Sequence, residues 1–139
     1  MMRMSDADEL ERIKKRKLEA MMREATEREE TTVISSPIVI TDANFNEMIK
    51  KYPLIVIDCW AAWCGPCRMI SPTIDALAKD YAGRIVFGKL NVDENQVTAR
   101  NYRIMSIPAL LIFKNGVLVD QVIGALPREI IEQKIVKYL

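Results

Sequence analysis

Cys64 and Cys67, with only Gly65 and Pro66 between them, are the side chains of this 139-residue chain best placed to do chemistry. Two thiols at this spacing can close a small disulfide ring, and opening and closing it moves two electrons. The pair falls where a buried strand gives way to a helix. A helix start offers unpaired N–H groups and a partial positive charge. Both stabilise a thiolate, so the pKa of the first cysteine should fall. Cys64 is therefore expected to be the exposed nucleophile and Cys67 the thiol that resolves. Pro66 can begin the helix without losing a needed N–H. A zinc knuckle is the competing use of such a pair, but a closed zinc site needs four ligands. Here only Cys59 and carboxylates remain, and the chain has no histidine. No metal and no bound cofactor are expected. An inert structural disulfide fits a reducing compartment poorly.

The missing histidine removes Cys–His and Ser–His pairs as well. Any general base must be a carboxylate, a lysine, a tyrosine or a cysteine. Asp58 draws notice because it interrupts the otherwise apolar run Leu54–Trp60. A lone carboxylate in a buried strand is costly, so it should be partly protonated or paired. A strand end open to solvent, or an ordinary salt bridge, would also accommodate it.

These residues need a scaffold, and the chain beyond residue 37 alternates in a way that supplies one. Ile38–Ile40 reads as a short strand, followed by a helix capped by Thr41 and running to about Lys51. Leu54–Trp60 is a strand buried on both faces. A helix then runs from about Pro66 to Tyr81, with Pro72 inside it as a kink and Gly83 beyond its end. Ile85–Val92 is the next strand and Glu94–Tyr102 a short helix. Ala109–Lys114 and Val117–Ile123 are strands joined by Asn115-Gly116, a strong hairpin signal. Pro127 opens a closing helix to Tyr138. The order β-α-β-α-β-α-β-β-α is that of an α/β domain. Its sheet should be mixed and mostly parallel, covered by helices on both faces, with the hairpin adding antiparallel edge strands.

Composition narrows the function classes. Twenty Lys and Arg face nineteen Asp and Glu, so the formal charge of +1 gives no drive towards nucleic acid or membrane. The longest apolar runs, Leu54–Ile57 and Ile107–Phe113, are far short of the roughly 20 residues that span a bilayer. Acids stand near the start where a signal peptide would be apolar. Three cysteines are too few for a secreted disulfide framework. A cytoplasmic location is expected.

Asp58-Cys59-Trp60-Ala61-Ala62-Trp63-Cys64-Gly65-Pro66-Cys67 resembles the active-site segment of the thioredoxin family. So do Lys89–Asp93, Ser106-Ile107-Pro108-Ala109-Leu110, Phe113-Lys114-Asn115-Gly116 and Gly124-Ala125, in the family's order and spacing. The resemblance covers residue 36 to the end. It implies the thioredoxin fold and a protein-disulfide reductase whose Cys64 and Cys67 cycle between dithiol and disulfide. It implies that Asp58 lies beneath the cysteines and takes the proton of Cys67, with Lys89 as its charge partner. It further implies a cis Ile107–Pro108 bond facing the pair, with Ile107 free to hydrogen-bond an extended substrate. Trp63, Gly65, Pro66, Ile107, Pro108 and Gly124 would form the substrate surface, and Met105-Ser106 would make it more apolar. Trp60 is the better core tryptophan. Cys59 reads as a small buried hydrophobe. The partners so implied are disulfide-containing proteins and an electron donor such as a thioredoxin reductase.

The resemblance does not reach residues 1–30. Asp6–Glu30 lacks Gly, Pro and aromatics. Ser5 and Asp8 can form a capping box, and Asp8/Arg12, Glu11/Lys15 and Glu19/Arg23 set opposite charges at i,i+4. Leu10, Ile13, Leu18, Met21, Met22 and Ala25 share one half of a helix of about six turns. This charged amphipathic extension is joined by a linker at 31–37, which opens on a β-branched stretch, to a domain at 38–139. The extension is read as a solvated appendage, as the contact of a homodimer, or as a segment ahead of a start at Met21 or Met22.

Overall fold

The computed structural model describes residues 10–21 and 34–139 of the chain. The chain divides into two units, Met1–Val33 and Ile34–Leu139. In the first unit, residues 10–21 are helical (α1) and all are exposed. Ser5, Asp8, Met22 and Ala25, the remainder of the expected six-turn helix and the first three linker residues lie outside the described residues.

The second unit is a five-stranded sheet with helices on both faces. Its strands are β1 (Ile38–Val39), β2 (Leu54–Trp60), β3 (Val86–Asn91), β4 (Ala109–Lys114) and β5 (Val117–Ile123). The helices are α2 (Phe45–Lys51), α3 (Gly65–Asp80), α4 (Gln96–Asn101) and α5 (Arg128–Val136). The spatial order is β1-β3-β2-β4-β5. The β1–β3 and β3–β2 pairings are parallel, and β2–β4 and β4–β5 are antiparallel. The sheet is therefore mixed in equal parts, and β4 lies inside it rather than at an edge. The hairpin turns where expected because Asn115 (φ 51°) and Gly116 (φ 82°) both take left-handed backbone.

Strand parity sorts the core, because successive side chains point to opposite faces. Leu54, Val56, Leu110 and Ile112 join Ile70, Ile74 and Leu77 of α3 and Ile131 and Ile135 of α5. Ile55, Ile57, Cys59, Leu111 and Phe113 join Phe45 and Ile49 of α2 on the other side. Asp58 shares its parity with Leu54 and Val56, so it faces α3. Helix α2 starts later than expected: Asn44, not Thr41, is its N-cap, and Thr41 heads the turn before it. The Thr41 hydroxyl accepts the Asn44 N–H at 3.2 Å, and Asn44 Oδ1 accepts the Thr41 N–H at 2.7 Å. Helix α3 runs unbroken past Pro72, and Gly83 beyond it has a φ of 82°.

Candidate active site

β2, buried at six of its seven positions, delivers the chain to the start of α3. Cys64 is the residue that caps this helix. Its backbone is extended, and its Sγ accepts the N–H of Cys67 at 3.2 Å. Gly65 and Pro66 occupy the first helical positions, where proline lacks only an N–H that has no partner anyway. Cys64 and Cys67 form a disulfide, their Cα atoms 5.4 Å apart. The helix start thus directs one N–H, and the positive end of its dipole, at the sulfur of the first cysteine.

Sequence reasoning made Cys64 the exposed member of the pair. The structure corrects this: both cysteines are 4% exposed. Trp60, Ala61, Val92 and Ile107 pack around them. Ile107 belongs to a loop that no local sequence signal brings to the pair; its carbonyl oxygen lies 3.8 Å from Cys64 Sγ. What is exposed is the rim: Trp63, Gly65 and Pro66. Trp63 is held upright by its indole N–H, which donates to Asp93 Oδ2 at 3.0 Å.

The Ile107–Pro108 bond is cis. Pro108 is buried, and its carbonyl accepts the Gly124 N–H at 2.8 Å, tying two loops beside the disulfide. Gly124 has a φ of 97°, and a Cβ built there would meet nothing within 4 Å. The demand for glycine at this point is set by the backbone, with open space above it.

Asp58 lies beneath the pair. It is 2% exposed, and among the described residues its Oδ1 has no hydrogen-bond partner. A cavity of about 200 Å³ is lined by Asp58, Trp60, Ala61, Ala62, Cys67, Arg68, Ser71 and Lys89. It joins the carboxyl to Cys67 but not to Cys64. Burial raises the Asp58 pKa from 3.8 to about 6, with Lys89 opposing the rise and Asp75 adding to it. Lys89 is Asp58's neighbour in the sheet register, yet its direct bonds go elsewhere. Its Nζ donates to Ser71 Oγ at 2.8 Å and pairs with Asp75 at 3.4 Å. The expected Lys89–Asp58 partnership therefore acts through space, without an ion pair.

Ser71 and Asp75 were not singled out from the sequence. The signal was available: they follow Cys67 at i+4 and i+8, on one face of α3. Asp93 was also missed as the anchor of Trp63. Cys59 has the opposite parity to Asp58 and is fully buried and unbridged. Burial, and secondarily Asp58, push its pKa up to about 12.

Comparisons with known proteins agree with this arrangement. The Thioredoxin family profile matches residues 36–137. The chain is 50% identical over 103 residues to a chloroplastic M-type thioredoxin of Pisum sativum, an alignment covering 73% of this chain and 59% of that protein. It is 49% identical over 100 residues to thioredoxin 2 of Chlorobaculum tepidum, covering 71% of this chain and 92% of that one. In structure it is similar to a mutant thioredoxin from Halobacterium salinarum. That match has a TM-score of 0.71 and 27% identity, and covers 76% of this chain and 92% of the other.

Proposed function

The chain belongs to the thioredoxin family, and on that premise we propose how its residues divide the work of thiol–disulfide exchange. The protein is an oxidoreductase that acts on protein disulfides. In the reducing direction the Cys64 thiolate attacks one sulfur of a target disulfide. The target's S–S bond breaks, a mixed disulfide forms, and one target sulfur leaves as a thiolate. Cys67 then loses its proton and attacks Cys64 Sγ. The mixed disulfide breaks, and Cys64–Cys67 closes with the target reduced by two electrons. A reductase partner returns the two electrons to the pair; a thioredoxin reductase or comparable donor is the fitting kind.

The cavity between Asp58 and Cys67 is the observation that carries this assignment. A carboxyl with a pKa of about 6 holds or releases a proton near neutral pH, whereas an ordinary carboxylate would not. The cavity brings that proton acceptor to the resolving thiol. Lys89 tunes the carboxyl through space. Trp63, Gly65, Pro66, Ile107, Pro108 and Gly124 form the rim on which a target segment lies, with the Ile107 backbone as its hydrogen-bonding edge.

Replacing Cys64 with Ser should abolish reduction of insulin coupled to dithiothreitol; retained activity would refute its role as nucleophile. Cys67→Ser should trap mixed disulfides with targets. If none accumulates, the division of roles between the two cysteines is wrong.

No helix among the described residues is long and apolar enough to cross a membrane. We assign the protein to the reducing cytoplasm, in keeping with a third thiol left free and buried. Recovery in an exported or organellar fraction would overturn this. The extension at 1–30 and the linker at 31–37 are assigned no part in the exchange, which belongs to the domain at 38–139. Leu10, Ile13, Leu18 and Met21 of α1 are all exposed, and we read the helix as a solvated appendage in preference to a homodimer contact. Light scattering of the full chain, with a chain lacking the first 33 residues beside it, tests this; a dimer seen only for the full chain would reverse it.

A further inference from the structure

We propose that Arg100 and Arg103 set target preference, selecting disulfides flanked by acidic residues; this rests on the reductase reading above and adds to it the class of substrate. A groove of about 570 Å³ runs past Val92, Asp93, Gln96, Arg100, Arg103 and Met105. It continues the redox rim. At one end Asp93 holds the Trp63 indole. Met105, 92% exposed, stands two residues before Ile107, whose carbonyl lies beside Cys64 Sγ. A target segment docked along Ile107 runs directly onto this surface.

The charge of the groove has a direction. Its carboxylate, Asp93, is engaged by the Trp63 N–H. Arg100 and Arg103 are both on the surface, and among the described residues neither forms a salt bridge. Arg100 reaches only Gln96 Oε1, at 3.4 Å. Two guanidinium groups face the groove against one carboxylate, Asp93, so its lining keeps a surplus of positive charge beside an apolar methionine. Such a wall accepts carboxylates, and guanidinium groups can do so bidentately.

Arg103 stands where α4 ends. Its φ of 51° lies in the left-handed region, where a non-glycine side chain is disfavoured. Glycine would meet the demand of the turn at no steric cost. The chain instead holds its longest cation in that conformation, on the groove wall. The conformation belongs to the C-terminal cap of α4, where the Ile104 N–H donates to the Ala99 carbonyl at 2.9 Å and the Arg103 N–H to the Arg100 carbonyl at 3.1 Å, and it places the Arg103 backbone beside the groove.

The test uses two synthetic peptides with one disulfide each, identical except for three Asp or three Lys flanking the attacked cysteine. The reduced full-length protein should reduce the acidic peptide with a kcat/KM about fivefold higher at low salt, the scale of one exposed charge pair. The gap should close in molar salt. The double variant Arg100→Gln/Arg103→Gly should lose the preference, and Arg103→Glu should shift it towards the basic peptide. A purely structural role would change both rates alike and leave their ratio fixed. Equal rates for the wild-type protein, or an unchanged ratio in the double variant, would overturn the proposal. Reduction of neither peptide would overturn the reductase reading, and this inference with it.

Discussion

Two aspartates in this domain are treated in opposite ways. Asp42, in the turn before α2, reaches the start of α4. Its carboxylate accepts the Thr98 hydroxyl at 2.7 Å, the Thr98 N–H at 2.8 Å and the Val97 N–H at 3.3 Å. The Thr98 hydroxyl bond leads in holding its pKa below 3.8, and the two backbone bonds help it outweigh the cost of desolvation. Helix α4 has no side-chain cap of its own, so Asp42 supplies one from 56 residues away. Among the described residues Asp58 has no such donors. It sits on a central strand with Oδ1 unpaired, and burial carries its pKa up to about 6. The donors within reach decide whether a carboxyl is a fixed anchor or a store for a proton. One region of the domain is built for stability and the other gives some up.

The strongest way to break that contrast is Asp58→Asn. In the folded protein Asp58 holds its proton more tightly than in the unfolded chain, so its burden is absent below about pH 4. It grows as pH rises to about 6 and is full above that. The gap from 3.8 to about 6 corresponds to about 3 kcal/mol. Asp58→Asn should therefore gain about 3 kcal/mol over wild type at pH 7, with a much smaller gain at pH 3.5, in urea melts. The same variant should slow closure of the Cys64–Cys67 bond. If wild-type stability did not fall between pH 4 and 6, the contrast would collapse.

Asp42→Ala should move the other way. With a depressed folded pKa, Asp42 stabilises above 3.8 and stops doing so as pH falls through that lower value. The variant should melt several degrees lower at pH 7, approach wild type as pH falls below 3.8, and keep its exchange rate. Lys89→Met should have a smaller effect. It removes the cation that holds Asp58 down and leaves Asp75 in place, so the Asp58 carboxyl resonance should titrate above about 6. An unchanged titration would mean that the Lys89 bonds to Ser71 and Asp75 exhaust its influence. The smallest effect belongs to Cys59, across the sheet from Asp58. Cys59→Ala should cost about 1 kcal/mol in core packing and leave exchange unaltered. In the native protein, iodoacetamide at pH 8 should not label Cys59, since its pKa is pushed to about 12.

Much of this contrast was written in the residue pattern, but only half of it legibly. Asp58 stands out because every other residue of Leu54–Trp60 is apolar, and parity alone turns it towards the helix that follows. Cys64, Gly65, Pro66 and Cys67 announce the helix start they cap. The two-residue turn at Asn115-Gly116 is fixed by local backbone preference. Contacts set by how elements pack were not legible. Lys89 chooses Asp75 over Asp58 because of where α3 crosses β3. Asp42 finds Thr98 only after two helices and two strands have been placed between them. The cover over Cys64 comes from Ile107, on a loop more than a helix and a strand away. The left-handed backbone at Arg103 leaves no trace, since the residue there is not the glycine that would signal it.

β2 lies between β3 and β4, and Leu110 of β4 is the antiparallel partner of Asp58. A chain is made from its N-terminus, so Asp58 and both cysteines emerge from the ribosome before Ala109–Lys114 exists. Until that strand docks, the β4 flank of β2 has no partner and the burial that raises the Asp58 pKa is incomplete. The Ile107 loop has not yet closed over the sulfurs, which at that stage are plain accessible thiols. The nascent protein therefore carries the two thiols before it has the Ile107 cover, which arrives only when the C-terminal part of the chain joins the sheet.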